Sequence, residues 1–397
     1  MKVRLHIFAK ISVIPRFAAC LLLAVSSYWA AKLAWADHLS RDLQPAIRER
    51  AQTLAPVIAA FSERLAERRE DLLLNSLPDR WNAAELDTEN ADRLMQLATR
   101  AELAGEYSMA ERSLLAAAGR SRLYQPKYLL AQYYFRRRNA GPFWTWARAA
   151  LESSYGDIMP LLDLCWRERP DAAWLANDVL PPRPALIRQY LTFLIRHEQW
   201  EAAFVEARRI AASPHAADQP VLLDYCDARL AKSSAGDSLE IWNALCRPLL
   251  LREEPLDPSR SRLVTNGEFL HTASGHGFDW RLTGQNGLRC DTGNGEMRLT
   301  FSGHQPERCP IAWQYVPLEP GASYRLRYDV LGTDRDAARC LTWEAPDSGL
   351  ALQPDGTAIV TARGDLGRIV LLYQRPVGAT RLQGSVTITR VRLERMP

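Results

Sequence analysis

The residues best suited to chemistry lie in the C-terminal third of the chain. Glu268, Asp279, Glu296 and Glu344 could supply the carboxylate pair of a glycosidase, provided two of them stood roughly 5 to 10 Å apart across a sugar. Sequence spacing does not set that separation, and scattered acids are ordinarily solvated. His271, His276 and His304 with Asp279 have the types of a metal-ligand set, but the H-x4-H spacing has no helix to present both imidazoles to one ion. There is no GxSxG, no HExxH and no phosphate-binding loop. The expectation is therefore a protein without a catalytic residue, a metal or a cofactor.

Seven cysteines offer a second kind of chemistry. Cys20 falls in an apolar N-terminal stretch, Cys165, Cys226 and Cys246 in the middle, and Cys290, Cys309 and Cys340 toward the end. In an oxidising compartment Cys226 with Cys246 and Cys290 with Cys309 are candidate disulfides, and buried unpaired thiols are the alternative. No CxxC occurs and neither trio comes with clustered histidines, which argues against a structural zinc site.

The framework that must hold these residues is larger than one module. At 397 residues and 44.8 kDa the chain should contain two or three folded units. A composition 47% hydrophobic and 24% charged is that of a globular protein, not of a disordered or many-pass membrane chain. A formal charge of +4 is too small and too dispersed to attract nucleic acid, so no nucleic-acid partner is expected. The 12 Trp are unusual, because this side chain buries the most area and stacks on flat ligands.

Residues 1–37 read as an export signal or a membrane anchor. Lys2, Arg4, Lys10 and Arg16 form a basic head, and Phe17 to Ala31 carries no charge. About 20 apolar residues cross the hydrocarbon core, which Phe17 to Ala36 achieves if Lys32 snorkels to the outer interface. The basic head would stay cytoplasmic and everything after Asp37 would lie on the far side of the membrane. Ala34-Trp35-Ala36 also fits a cleavage site, so a cleaved exported form is the alternative. Bulky Tyr28 and Trp29 sit badly in a cleavage region. Phe17-Ala18-Ala19-Cys20 imitates a lipid-attachment box, but the apolar stretch follows the cysteine instead of preceding it.

Beyond the anchor, Leu39, Leu43, Ile47, Ala51, Leu54, Ile58, Phe61 and Leu65 follow the period of one helix face. Residues 38–85 thus form a helical stalk, broken or kinked at Pro45 and Pro56, or the first helix pair of the next domain. From residue 86 the pattern becomes self-similar. Turn-like Gly105, Asn139, Gln199 and Gly236 are separated by one or two periods near 34 residues, and aromatic-x-x-Ala steps such as Trp144 with Ala147 follow them. An aromatic can wedge between paired helices while the Ala lets their backbones approach. Over residues 86–250 the chain resembles the tetratricopeptide repeat family, which implies an all-α array whose surface binds a protein partner. Trp144-Thr145-Trp146-Ala147 and Leu180-Pro181-Pro182-Arg183-Pro184 depart from the consensus. Tyr128, Tyr133, Tyr134, Phe135, Trp144 and Trp146 beside Arg136, Arg137 and Arg138 form either a contact face or a core stripe with a basic turn.

Residues 251–261, with Pro255 and Pro258 among charges, read as a linker. In residues 262–397 the hydrophobic period changes to two: Tyr324, Leu326, Tyr328 and Val330 alternate with Arg325, Arg327 and Asp329. Further runs at 297–301, 311–315, 339–343, 369–373 and 386–391 give an all-β antiparallel sandwich. Val264-Thr265-Asn266-Gly267-Glu268-Phe269, Gly277-Phe278-Asp279-Trp280, Trp313-Gln314-Tyr315-Val316 leading to Pro320-Gly321-Ala322-Ser323-Tyr324, and Gly384-Ser385-Val386-Thr387-Ile388 resemble galactose-binding-like jelly-roll carbohydrate-binding modules. Such modules often hold calcium through an acid just after the opening Phe and another in the last strand. Here Leu270 and Thr389-Arg390 stand in those places.

The layout as a whole is similar to exported tetratricopeptide proteins associated with exopolysaccharide production and protein sorting. That resemblance implies a non-catalytic scaffold, single-pass in a bacterial inner membrane with its bulk in the periplasm or cleaved to a periplasmic form, with a protein partner on the repeats and a possible polysaccharide contact on the jelly roll. Sugar rings stack on exposed aromatic faces, which makes Trp313, Trp343 and Tyr373 the candidate carbohydrate-binding residues. Each also fits a core position within a strand, as Phe278-Asp279-Trp280 does. A carbohydrate-binding or glycosidase-like exported protein is the alternative.

Overall fold

A computed structural model describes residues 4–331, 339–352 and 358–396; Lys2 lies outside the described residues. The chain divides into two compact units, residues 1–181 and 182–397.

The first unit opens with α1 (Arg4–Ser40). Its stretch Ala18–Ser40, with a mean hydropathy of 1.3, is long and apolar enough to cross a membrane and carries no buried residue in its most apolar window. The following segment is broken at Pro45 and Pro56. Pro45 starts α2 (Pro45–Leu54), where a missing N–H costs nothing, and Pro56 separates α2 from α3 (Ala59–Asp71). Helices α4 (Leu77–Leu86), α5 (Ala91–Leu103), α6 (Tyr107–Arg120), α7 (Tyr124–Arg136) and α8 (Ala140–Ser153) follow. After them come α9 (Met159–Glu168), the single turn α10 (Ala172–Trp174) and a π-turn at Leu175–Val179. α5 packs on α6 and α7 on α8 as antiparallel pairs, the arrangement expected of tetratricopeptide-like repeats. Small Ala98, Ala101, Ala110, Ala117, Ala147 and Ala150 are fully enclosed in these pairs, which lets the backbones approach.

Three structural elements meet at a buried charge. Glu70 of α3 receives Arg80 of α4 through two hydrogen bonds of 3.0 Å, Arg100 of α5 at 2.7 Å and the Ser76 hydroxyl at 2.9 Å. Burial alone would raise the Glu70 carboxyl, but these donors outweigh it and hold the group at about 2.

A recurring turn ends the first helix of each pair. Leu73, Gly105 and Arg138 in the first unit, and Glu198 and Ser233 in the second, have positive φ of 57°, 83°, 52°, 53° and 60°. After each, the next N–H reaches back to a carbonyl five residues earlier, as in Glu106 N to Ala101 O at 2.8 Å and Asn139 N to Tyr134 O at 3.0 Å. This is the helix-ending motif in which a left-handed residue lets the chain reverse. Asn139 and Gln199 come one position later, as N-caps, whereas Gly236 lies inside the next helix.

The second unit begins with α11 (Pro184–Arg196) and α12 (Trp200–Ala211), then α13 (Gln219–Ala231) and α14 (Ala235–Cys246). Among the described residues ten strands follow: β1 (Arg281–Leu282), β2 (Leu288–Gly293), β3 (Glu296–Ser302), β4 (Arg308–Pro317), β5 (Ser323–Leu331), β6 (Leu341–Glu344), β7 (Gly349–Leu352), β8 (Ala358–Thr361), β9 (Leu366–Gln374) and β10 (Gln383–Arg395). They form two antiparallel sheets, ordered β1-β4-β9-β6 and β2-β3-β10-β5-β8-β7. One core lies between the sheets, built from Met297, Leu299, Phe301, Tyr324, Leu326, Ile369, Leu371, Val386 and Ile388 among others. In β10 the buried parity shifts from Val386 and Ile388 to Val391 and Leu393. A bulge between Ile388 and Arg390 inserts the extra residue.

The segment at 251–261 lies within this unit and is fastened to α14. Asn243 donates to the Leu256 carbonyl at 2.9 Å and accepts from its N–H at 2.8 Å. The sandwich docks on the same helix pair: the buried Trp242 ring meets Phe278 edge-on at 6.0 Å.

All seven cysteines are free thiols, and Cys165, Cys226, Cys246, Cys309 and Cys340 are buried. The unpaired alternative is therefore the observed one. Burial is the main cause pushing the thiols of Cys165, Cys246 and Cys290 up to about 12, so these groups are uncharged and poorly nucleophilic.

Candidate functional site

In the first unit, α4, α5 and α6 leave a groove of about 320 Å³. Leu94 and Leu97 form its floor, Trp81, Met109 and Ala116 its walls, and Arg112 stands at its exposed edge. Trp81 is 39% exposed. The sequence signal for this groove was weak, since α4 precedes the self-similar region and Trp81 belongs to no repeat motif.

In the aromatic run beside Arg136, Tyr128, Phe135, Trp144 and Trp146 are half-buried. Tyr133 and Tyr134 are buried, and their hydroxyls donate to the Tyr107 carbonyl at 3.1 Å and to Glu111 at 2.7 Å. Phe143 packs edge-on against Trp144 at 4.7 Å, and Trp144 against Trp174 at 4.6 Å. Arg136 makes two bonds of 2.7 Å to Glu102, and Arg137 lies 3.8 Å from the Tyr107 ring. The basic turn thus binds its own neighbours.

The three aromatics expected to stack on sugar separate into two groups. Trp343 and Tyr373 are enclosed in the sandwich core, at 2% and 0% exposure. Trp343 touches Trp280 and Tyr328, and Tyr373 packs on Phe301 at 5.3 Å while its hydroxyl accepts from Leu382 N. A pyranose cannot reach either face. The physical reason is parity: on β9 and β6 these positions point to the facing sheet, and alternation alone does not say which side is solvent.

Trp313 is different. It lies on the outer face of the four-stranded sheet, half-buried, with Tyr315 edge-on at 5.1 Å. The Arg281 guanidinium covers both rings, at 4.7 and 5.0 Å, and Arg368 approaches Trp313 at 6.0 Å. Arg281 in turn reaches Asp227 of α13 at 2.6 Å. Beside Tyr315, a cleft of about 410 Å³ opens between α13 and the sheet, lined by Leu230, Ser233, Arg363, Asp365 and Arg368.

The acids considered for glycosidase work occupy unrelated places. Glu268 pairs with Arg392 at 3.3 Å and Arg390 at 3.5 Å; Asp279 accepts from the N–H groups of Ser274 and Trp280. Glu296 pairs with Arg298, and Glu344, in the other sheet, with Arg308. His276 contacts Asp227 at 2.7 Å and His304 contacts Ser302 at 3.4 Å, and among the described residues no three potential ligands gather as a metal site.

Glu253 has a strongly displaced acid–base equilibrium beside the sandwich. Burial first, and the charge of Asp279 second, push its carboxyl up to about 7, although Asn266 N donates to it at 3.2 Å.

No known family matches the chain by sequence, and no curated protein does. Among solved structures, YrrB, a TPR protein with an unusual peptide-binding site, is 13% identical with a TM-score of 0.25, over 50% of this chain and 90% of that one. A tetratricopeptide repeat protein from Parabacteroides merdae is 14% identical with a TM-score of 0.30, over 55% and 90%. PilF of Pseudomonas aeruginosa is 12% identical with a TM-score of 0.27, over 56% and 91%.

Proposed function

We propose that the chain is a non-catalytic scaffold anchored in the bacterial inner membrane, its bulk in the periplasm, which holds a partner protein on its helical repeats. The observation that carries this reading is the groove of the first unit. Leu94, Leu97 and Met109 line it, Trp81 is held half out of the core, and Arg112 is exposed at its edge. This suits an apolar segment of a partner flanked by an acidic residue, since a half-exposed Trp and an Arg are the side chains most often dominant at such contacts. The setting in surface-polysaccharide assembly or sorting rests on the resemblance of the layout. Any glycan contact of the sandwich falls to Trp313 and Tyr315 and the adjoining cleft, not to Trp343 or Tyr373.

Photo-crosslinking from position 116 of the full-length protein in cells tests the reading. It predicts a discrete protein adduct that Trp81→Ala abolishes and that is not formed from position 377 on the sandwich. Absence of an adduct from position 116, or an adduct indifferent to Trp81→Ala, would refute the groove as the docking site.

A further inference from the structure

The N-terminal helix does not end in a free linker, and the way it joins the first unit points to a second membrane contact. Near the C-terminal end of the apolar stretch, Ala36 is fully buried in a cluster with Ala55 and Phe61, against which Leu54 and Ile58 pack. One residue on, Asp37 accepts from Arg64 of α3 at 2.7 Å, and the same guanidinium reaches the Ser40 hydroxyl at 2.5 Å. The turn between α2 and α3 is therefore pinned to α1 beside Ala36. From Ala51 to Ser62 this turn and its flanks carry no charged side chain. At its tip Pro56 is exposed and Val57 is 77% exposed, with no part of the fold covering them.

Depth follows from helix geometry. A hydrocarbon core about 30 Å thick takes about 20 helical residues, and the headgroup layers bring the bilayer to about 40 to 45 Å. If Phe17 to Ala36 spans the core, Ala36 lies at its outer boundary and the pinned turn falls within the headgroup layer. Exposed Trp35, and Lys32 within one turn below it, are the amphipathic residues that favour this level.

We propose that the α2–α3 turn, with Val57 at its tip, rests in the headgroup layer of the same membrane that α1 crosses, so that lipid covers the exposed apolar tip. The proposal rests on α1 being a retained span. Lipid is the fitting occupant because the tip has no polar side chain to direct a specific contact, and because its fixed position beside Ala36 presents it to the bilayer surface.

The test uses the full chain in phosphatidylethanolamine/phosphatidylglycerol vesicles, with Cys20→Ser and Cys290→Ser removing the accessible thiols. An environment-sensitive fluorophore is placed in turn at Trp35→Cys, Val57→Cys and Val377→Cys. The expected result is a blue shift and quenching by lipids spin-labelled near the headgroup at positions 35 and 57, with neither at 377. Quenching at 35 with a water-like, unquenched label at 57 would overturn the proposal while leaving the anchor intact. A label unquenched at both would show that α1 is not inserted, and the proposal would fall with the anchor.

Discussion

Asp227 on α13 holds the Arg281 guanidinium of β1 at 2.6 Å, a charged link between the helical and β parts of the second unit beside the Trp242–Phe278 contact. Its other bonds run to Gly277 N at 2.7 Å and His276 Nδ1 at 2.7 Å, all within one turn and strand of the sandwich. Arg281 is mostly buried, and it would lose its charge partner while still covering Trp313 and Tyr315. We expect Asp227→Ala to lower unfolding stability by about 2 kcal/mol, below the full cost of breaking a buried pair because Asp227 is partly exposed. Chemical denaturation of the full chain measures it; a change under about 0.5 kcal/mol, the level of an ordinary surface substitution, would contradict the role.

Gly277 tests the same junction by shape. Its φ is +53°, and a Cβ built there would stand 2.3 Å from the buried Trp242 ring. Gly277→Ala combines a left-handed backbone with a clash against a fixed indole, and should cost about 3 kcal/mol. Gly284→Ala, where a Cβ meets nothing within 4 Å, is the control expected to stay near parental stability in the same melt.

The repeated left-handed turn predicts a gain. Arg138 is exposed and adopts a φ of 52°, which a side chain disfavours by roughly 1 to 2 kcal/mol relative to glycine. Arg138→Gly should raise the melting temperature, with a net gain of about 0.5 kcal/mol after the added freedom of the unfolded chain is subtracted. A lowered melting temperature would mean the arginine makes a contact that outweighs its backbone strain.

Much of the architecture was legible because it depends on periodicity. The change from a helical period to alternation in residues 262–397 pointed to the sandwich, since Tyr324 and Leu326 fall on one face of β5 and Arg325 and Arg327 on the other. The repeating turn was partly hidden: at its left-handed position stand Leu73, Gly105, Arg138, Glu198 and Ser233, and only one of them is glycine. The shortened copy at α9 and α10 broke the period between Asn139 and Gln199. As for the site, an aromatic inside an alternating strand has two faces to choose from, and the choice depends on the sheet it meets. That is why Trp313 and Trp343 looked equivalent in sequence and are not.

Two carboxylates make opposite pH predictions. Glu253 titrates at about 7 in the folded chain and near 4.5 when unfolded, so the native state binds more protons between these values. Stability contributed at this position therefore falls as pH rises from about 4.5 to 7. Glu253→Gln keeps an acceptor for Asn266 N and should make the protein more stable than its parent at pH 8, with little difference at pH 4.5. Glu70, held at about 2, contributes stability that is present above about 4.5 and is lost as pH falls toward 2. Glu70→Gln should destabilise the first unit at neutral pH, and the gap from the parent should narrow in acid. Urea melts at three pH values decide both.

The seating of Trp242 over Gly277 limits how this chain could be cut or recombined. A fragment starting near residue 259 would leave the Phe278 ring and the Arg281 guanidinium facing water, and the complementary fragment would bare an indole at its end. Gene fusion or shuffling at that seam should yield sticky, poorly expressed halves. Exchange at residue 182 would leave the junction whole, so helices α11 to α14 and the sandwich should be inherited as a single block.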